Sequence, residues 1–319
     1  MKWINREDRP TRFGFGEGLL EAGKANNNVV ALGADITQSV YMHLFAQAYP
    51  ERFFSFGIAE QNIIAAATGL FMSGKIPVFS TYAVFAAHRA ADQIRVSVCY
   101  NNAHVIIGGA HAGISVGADG ATHQALEDIA LMRVLPNMTV LSPADATQTR
   151  KATIAAIEQA KGPVYIRFGR EAVPDFTRPE TPFVIGKGEI FTEGNDVGII
   201  ATGHMLWEAL EAAKILEKEN ISIEVINIHT IKPIDTELII ETAKKTGAIV
   251  TAEEHQIMAG FGSAVAEVLV KNYPVPVEMI GINDSFGESG EPDELMKKYQ
   301  LKASDIVDAV KRVIKRKKM

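Results

Sequence analysis

The sequence predicts two doubly wound α/β domains, the first built on a parallel sheet, and three observations carry that expectation. Short apolar strands alternate with helices between Val29 and Arg170. The stretch from Glu171 to Gly188 then concentrates Pro174, Pro179 and Pro182 among several charges, the composition of an interdomain connection. A second strand and helix alternation begins beyond it, and this spacing argues for parallel sheets covered by helices. The expected division is residues 1–175, a linker at 176–190, and residues 191–319. A chain of 319 residues, 47% hydrophobic and 22% charged, has room for two such cores.

In chain order, residues 11–25 read as a helix with Leu19, Leu20 and Ala22 among its apolar positions. Val29-Val30-Ala31-Leu32-Gly33 is a buried strand that opens into the polar run Asp35-Ile36-Thr37-Gln38-Ser39. A polar cluster after an apolar strand is where α/β proteins bind ligands, although a loop with a helix cap has the same spelling. Next, Phe54-Ser55-Phe56-Gly57 delivers Glu60 to the first turn of a helix. Ile63, Ile64, Ala67, Leu70 and Phe71 recur in that helix at three- and four-residue spacing until Gly74. Ile76 to Ser80 is β-like, and a following helix is expected to carry Tyr82, Phe85, Arg89 and Asp92 on one face. The strand from His104 to Gly109 runs into His111 and the glycine-rich stretch 113–120. Strand 139–143, helix 144–160 and strand 164–168 complete the first domain at Arg170. In the second, strands at 197–202, 223–228, 248–254 and 277–281 alternate with helices at 206–219 and 262–272. A terminal helix from Ala303 ends in the basic run Lys311, Arg312 and Lys315 to Lys318, expected to be a solvated end favoured by the helix dipole.

Composition excludes several classes. The net charge of −6 gives no general electrostatic attraction to nucleic acid or anionic membrane. No apolar run reaches the roughly 18 residues of a membrane span, and Met1 to Asp8 lacks the apolar core of a signal peptide, so a cytoplasmic location is expected. Cys99 stands alone and reads as a core residue.

The chemistry concentrates at strand ends. A glutamate opening a helix is ordinarily a surface residue that stabilises the dipole. Glu60, however, lies between Ile58 and a nearly uncharged helix, so burial is expected to oppose its charge while the helix N-terminus favours it. Such opposition marks carboxylates poised for proton chemistry. His111, Asp119 and His123 gather two imidazoles and an acid on one loop, and they lack the ligand spacing of a zinc site. Arg170 at a strand end suits bidentate phosphate binding as well as it suits pairing with an acid.

Gly57-Ile58-Ala59-Glu60-Gln61, then Phe85, His111-Ala112-Gly113 and Gly117 to Gln124, resemble the pyrimidine-binding domain of transketolase. The match continues through Pro136-Asn137-Met138 and Pro143-Ala144-Asp145 to Arg170, and Lys232-Pro233-Ile234-Asp235 with Glu253-Glu254-His255 resemble the transketolase C-terminal domain. The resemblance implies thiamine diphosphate as cofactor, with Glu60, Phe85, Asp35, Tyr82 and His88 around it. It also implies a sugar-phosphate site of Arg12, Ser39, His111, Asp119, His123 and Arg170, with Glu60, His111 and His123 as the catalytic groups. His229 and His255 are read as structural or interface residues.

The Gly-Asp-Gly motif and downstream asparagine with which transketolases hold a diphosphate-bound metal have no counterpart here. The resemblance therefore implies the C-terminal subunit of a split transketolase of the pentose phosphate pathway. An N-terminal subunit would supply Mg2+ or Ca2+ binding, the two assembling into a heterotetramer. Gln61, where long transketolases carry histidine, also resembles deoxyxylulose-phosphate synthase, and that enzyme normally has an arginine where this chain has His88. A 2-oxoacid dehydrogenase E1 β-like subunit lacks the Asp119 to His123 motif. A non-catalytic assembly subunit would have no use for an intact Glu60 and Phe85.

Overall fold

The computed structural model describes residues 6–317; Met1 to Asn5 and the last lysine of the basic tail, Lys318, lie outside them. Fourteen strands are present among the described residues: β1 (Arg9–Pro10), β2 (Val29–Gly33), β3 (Phe53–Ser55), β4 (Ile76–Tyr82), β5 (Ile106–Ala110), β6 (Thr139–Leu141), β7 (Val164–Arg167), β8 (Ala172–Val173), β9 (Glu189–Thr192), β10 (Val197–Ala201), β11 (Ile223–Asn227), β12 (Thr230–Lys232), β13 (Ile249–Gln256) and β14 (Val277–Ile282). The helices are α1 (Thr11–Ala25), α2 (His43–Ala48), α3 (Glu60–Met72), α4 (Ala91–Gln93), α5 (Asp128–Val134), α6 (Ala146–Glu158), α7 (Met205–Glu217), α8 (Thr236–Thr246), α9 (Phe261–Asn272), α10 (Pro292–Lys298) and α11 (Ala303–Lys317).

The first sheet runs β12-β6-β7-β5-β4-β2-β3, parallel except for β12 at its edge. Its central strands are buried on both faces, as parallel sheets between two helical layers must be. Val30 and Leu32 of β2 enter one core while Val29 and Ala31 enter the other, the period-two alternation of a strand. The second sheet, β14-β13-β10-β11-β9, is parallel apart from β9.

Two features tie the halves together. β12 follows β11 in sequence yet pairs with β6 of the first sheet, so residues 230–232 finish the neighbouring domain. The apolar cluster holding Val140 and Tyr165 of the first half also holds Ile200, Ile226 and Phe261 of the second. The stretch expected to be a linker is correspondingly packed. Ala172–Val173 pairs with β1, Phe176 and Thr177 are buried with their amides on Asp145 Oδ2, and β9 already begins at Glu189.

Local sequence explains most element ends. Asp145 caps α6 by accepting the Gln148 amide at 2.7 Å, and Asp235 caps α8 through Leu238. Gly14 and Gly18 let α1 lie directly on α6, since a Cβ at Gly14 would stand 2.0 Å from the Ala146 carbonyl oxygen. That approach sets Arg12, at the start of α1, against the C-terminal ends of the strands.

One expectation needs correction. Tyr82 closes β4 instead of joining a helix, and the segment after it is no regular α-helix. Wide π-turns at 85–89 and 94–99 flank the three residues of α4, with Ala86, Ala87 and Ala90 buried against the sheet. π-turns of this kind recur at functional sites. The basic end of α11 is solvated, with Arg312, Lys315, Arg316 and Lys317 exposed, and it pairs as well: Lys311 meets Glu219, Arg312 and Arg316 both meet Glu278, and Lys317 donates to the Thr246 carbonyl. No helix among the described residues is long and apolar enough to cross a membrane.

Candidate active site

The C-terminal ends of the parallel strands converge on one edge, where open α/β sheets place their ligands. From β2 comes the loop with Asp35 and Ser39, from β4 Tyr82 and then Phe85, from β5 His111, and from β7 Arg170. Glu60 opens α3 just beyond β3.

Eight of the expected residues form one network of hydrogen bonds and ring contacts. Arg12 donates from Nη1 to the Ser39 carbonyl at 2.8 Å and from Nε to the Arg170 carbonyl at 3.0 Å. Thr11 fixes the same junction, its hydroxyl bonding the Gly169 carbonyl and accepting the Gly169 amide. Ser39 Oγ lies 3.1 Å from His111 Nε2, and the His111 ring meets the edge of Tyr82 with centroids 4.3 Å apart. Tyr82, Phe85 and His123 form a triangle of edge-to-face contacts with centroids 5.3 to 5.7 Å apart. Arg170 closes the circuit by donating from Nη1 to Asp119 Oδ1 at 3.2 Å and to the Val116 carbonyl at 3.1 Å.

Burial shifts the titration of two of these groups. His111 is 1% exposed and its pKa is pushed down to about 3, first by burial and then by the Arg12 and Arg170 guanidinium groups and His123. It is therefore a neutral hydrogen-bonding group at physiological pH, and its buried Nδ1 has no partner. Burial, then the Asp119 carboxylate, holds the Tyr82 hydroxyl above its ordinary range. His111 and Asp35 both adopt left-handed backbone, with φ of 54° and 62°. Non-glycine residues held there store strain that often accompanies a ligand site.

Glu60 is 2% exposed, as its apolar setting implies. Arg89 donates to Oε1 at 2.9 Å, while Oε2 is buried with no partner. The same guanidinium lies over the Phe85 ring, 4.2 Å from its centroid. Sequence reasoning placed Arg89 on the Phe85 face without giving it a task. The four-residue spacing from Phe85 was the available signal.

Two expected residues stand apart. Asp35 is exposed on its loop, outside this network. His88 is turned away: Nδ1 lies 3.1 Å from the Val84 carbonyl and Nε2 3.6 Å from Glu127. His229 and His255 are buried. His229 packs on Phe183, and His255 takes the Ala130 amide at the boundary between the halves. The described residues contain no group of three or more side chains able to hold a metal ion.

A buried carboxylate with a free oxygen and an aromatic ring share the Arg89 guanidinium, and beyond the ring lies a patch of two arginines, a serine and two imidazoles. Residues 7–175 match the family model of the transketolase pyrimidine-binding domain, and residues 186–306 that of the transketolase C-terminal domain. The chain belongs to the transketolase family, and within it resembles C-terminal subunits of split enzymes. It is 46% identical over 308 residues to a Methanocaldococcus jannaschii protein provisionally described as a transketolase C-terminal section, covering 96% of each chain. It is 40% identical to a 6-deoxy-6-sulfo-D-fructose transketolase subunit of Clostridium sp., covering 98% of this chain and 97% of that one. A solved split-gene transketolase, described as an inactive β4 tetramer, superposes with a TM-score of 0.91 at 52% identity, covering 97% and 99%. A 1-deoxy-D-xylulose-5-phosphate synthase of Desulfotalea psychrophila is 38% identical over 92% of this chain, which spans 46% of that longer protein.

Proposed function

We propose that this chain is the pyrimidine-side subunit of a thiamine-diphosphate-dependent transketolase that moves a two-carbon ketol unit from a ketose phosphate to an aldose phosphate. The observation that carries the reading is the free, buried Oε2 of Glu60, whose other oxygen and the Phe85 ring are bridged by the one guanidinium of Arg89. An aminopyrimidine fits there on physical grounds, because a ring nitrogen would satisfy the orphaned oxygen while its flat face stacks on Phe85.

When bound, thiamine diphosphate supplies the carbanion chemistry of ketol transfer. Glu60 would hold a proton against the pyrimidine N1′ and return it, and Phe85 would fix the ring plane. Arg12 and Arg170 carry the charge to bind a sugar phosphate, with Ser39 Oγ and neutral His111 as hydrogen-bonding partners. Asp119 and His123 would read sugar hydroxyls. Arg170 and Asp119 are paired with each other in the chain alone, so a substrate would have to exchange that contact for its own.

We further infer an N-terminal partner subunit that holds the diphosphate through Mg2+ or Ca2+. Apolar side chains around the Glu60 helix support a partner: Ile58, two residues before Glu60, is 72% exposed, and Tyr100 is 86% exposed. The relatives described as subunits or sections support the same arrangement, and the solved β4 tetramer supports self-association of this kind of chain. Because one relative is described as acting on a sulfo-sugar, the donor's identity belongs to this proposal as a class, phosphorylated or comparably anionic ketoses. A cytoplasmic enzyme of pentose phosphate interconversion is the setting that fits. Similarity to deoxyxylulose-phosphate synthases favours a second reading, condensation of pyruvate with an aldose phosphate. Purification from the native host with mass identification of the bound chain tests the partner: recovery of a chain matching the diphosphate-binding half is expected, and recovery only of this chain, fully active with cofactor, contradicts the proposal.

A further inference from the structure

The loop that carries Asp119 and His123 is held from outside its own domain. Glu254, on β13 of the second half, is 3% exposed, and its Oε1 accepts the Ser115 amide at 2.6 Å. Its Oε2 lies 3.2 Å from His204 Nε2. Gly113 makes the approach possible: at φ of 91°, a Cβ there would stand 2.2 Å from the Glu254 carboxylate. Arg167 fastens the far end of the loop to the same strand by donating from Nη2 to the carbonyls of both Ala125 and Glu254.

A second tether independently reaches the same loop. Gln124 Nε2 donates to the Glu288 carbonyl at 2.8 Å and, within the loop, to those of Ile114 and Gly117. Gly117 and Gly120, both at positive φ, lie against Pro292 and Ser289. Between these tethers sit Asp119, His123 and the Val116 carbonyl that receives Arg170.

We propose that Glu254 is a positioning residue for the substrate loop: through the Ser115 amide it holds Asp119 and His123 at the site, so the C-terminal domain takes part in selecting hydroxylated anionic donors. This rests on the reading of Asp119 and His123 as sugar-binding groups. A carboxylate accepting an amide in a dry setting makes a charge-assisted bond, about twice as strong as a neutral one. Removing it leaves the Ser115 amide buried without a partner.

The test compares Glu254→Ala and Glu254→Gln in the full chain by hydrogen exchange of peptides spanning 113–124, with peptides from β10 as the internal control. Exchange in the loop is expected to rise by about tenfold in Glu254→Ala and a few-fold in Glu254→Gln, whose neutral carbonyl still accepts the amide, with β10 unchanged. If the alanine variant does not fold, the glutamine variant decides alone; wild-type protection in its loop overturns the proposal. In the two-subunit enzyme, Glu254→Ala is expected to raise KM for xylulose 5-phosphate with a smaller effect on kcat, and Glu254→Gln to restore most of it. Looser exchange with an unchanged donor KM overturns the link to selection when Asp119→Ala does raise that KM. If Asp119→Ala leaves KM unchanged as well, the sugar-reading role of the loop has failed, and the proposal falls with it.

Discussion

Replacing Arg89 with alanine should tighten thiamine diphosphate binding in the assembled enzyme. The Arg89 guanidinium is a flat cation that bonds Glu60 Oε1 at 2.9 Å, beside the free Oε2 assigned to the aminopyrimidine, and covers the Phe85 ring at 4.2 Å, the face assigned to the same ring. A ring using those contacts must displace it. Arg89 is 45% exposed, so its ion pair is screened by solvent and worth about 0.5 kcal/mol, and the stacking adds about 0.5 kcal/mol at an exposed site. Losing a competitor worth about 1 kcal/mol in total lowers Kd about fivefold. Isothermal titration of the cofactor into the two-subunit complex measures this directly. A several-fold weaker Kd in Arg89→Ala, with the fold intact by circular dichroism, would refute the reasoning and make Arg89 a cofactor ligand.

Other consequences follow from the same geometry. Glu60→Gln should lower ketol transfer by at least about 10², the lower end for a general acid or base, while cofactor saturation is retained; near-normal turnover at saturation places the acid elsewhere. Arg170→Ala and Asp119→Ala should be non-additive, because each frees the other from a 3.2 Å contact. Arg170→Ala should erase the preference for phosphorylated donors and Asp119→Ala the preference among hydroxyl configurations; steady-state kinetics on both, and on the double variant, decides whether they couple. Stability should respond to acid through His229, whose pKa burial pushes down to about 3. The unfolded chain takes up that proton near the ordinary histidine value, so stability falls with pH below about 6.5 until the folded group titrates. Between about pH 5.5 and 4.5, His229→Gln should flatten the loss by about 1.4 kcal/mol, measured by denaturant unfolding; an unchanged slope would mean the histidine is charged in the fold.

Strand and helix order was legible because burial leaves a period: the apolar runs at Val29, Val164 and Val197 became strands, and the 60–72 repeat became α3. The strand-end residues Ser39, His111 and Arg170 were legible for the same reason, since parallel strands deliver their C-terminal ends to one edge. What escaped depended on contacts far apart in sequence. β12 joins a sheet whose partner strand lies some ninety residues earlier, and no local signal marks Thr230 as its edge. The π-turns around Phe85 and His88 are a packing outcome of the alanines beneath them, and they turn His88 toward Glu127. Glu254 reads in sequence as one acid of a pair; only the fold brings it to Ser115, 139 residues away.

The most direct test assays the purified chain, alone and with its N-terminal partner, for transfer from xylulose 5-phosphate to ribose 5-phosphate with thiamine diphosphate and magnesium. The account predicts no turnover alone and ketol transfer once the partner is added. Full activity of the isolated chain would contradict the two-subunit reading, and an assembled enzyme that ignores these sugars but condenses pyruvate with glyceraldehyde 3-phosphate would contradict the assignment to ketol transfer.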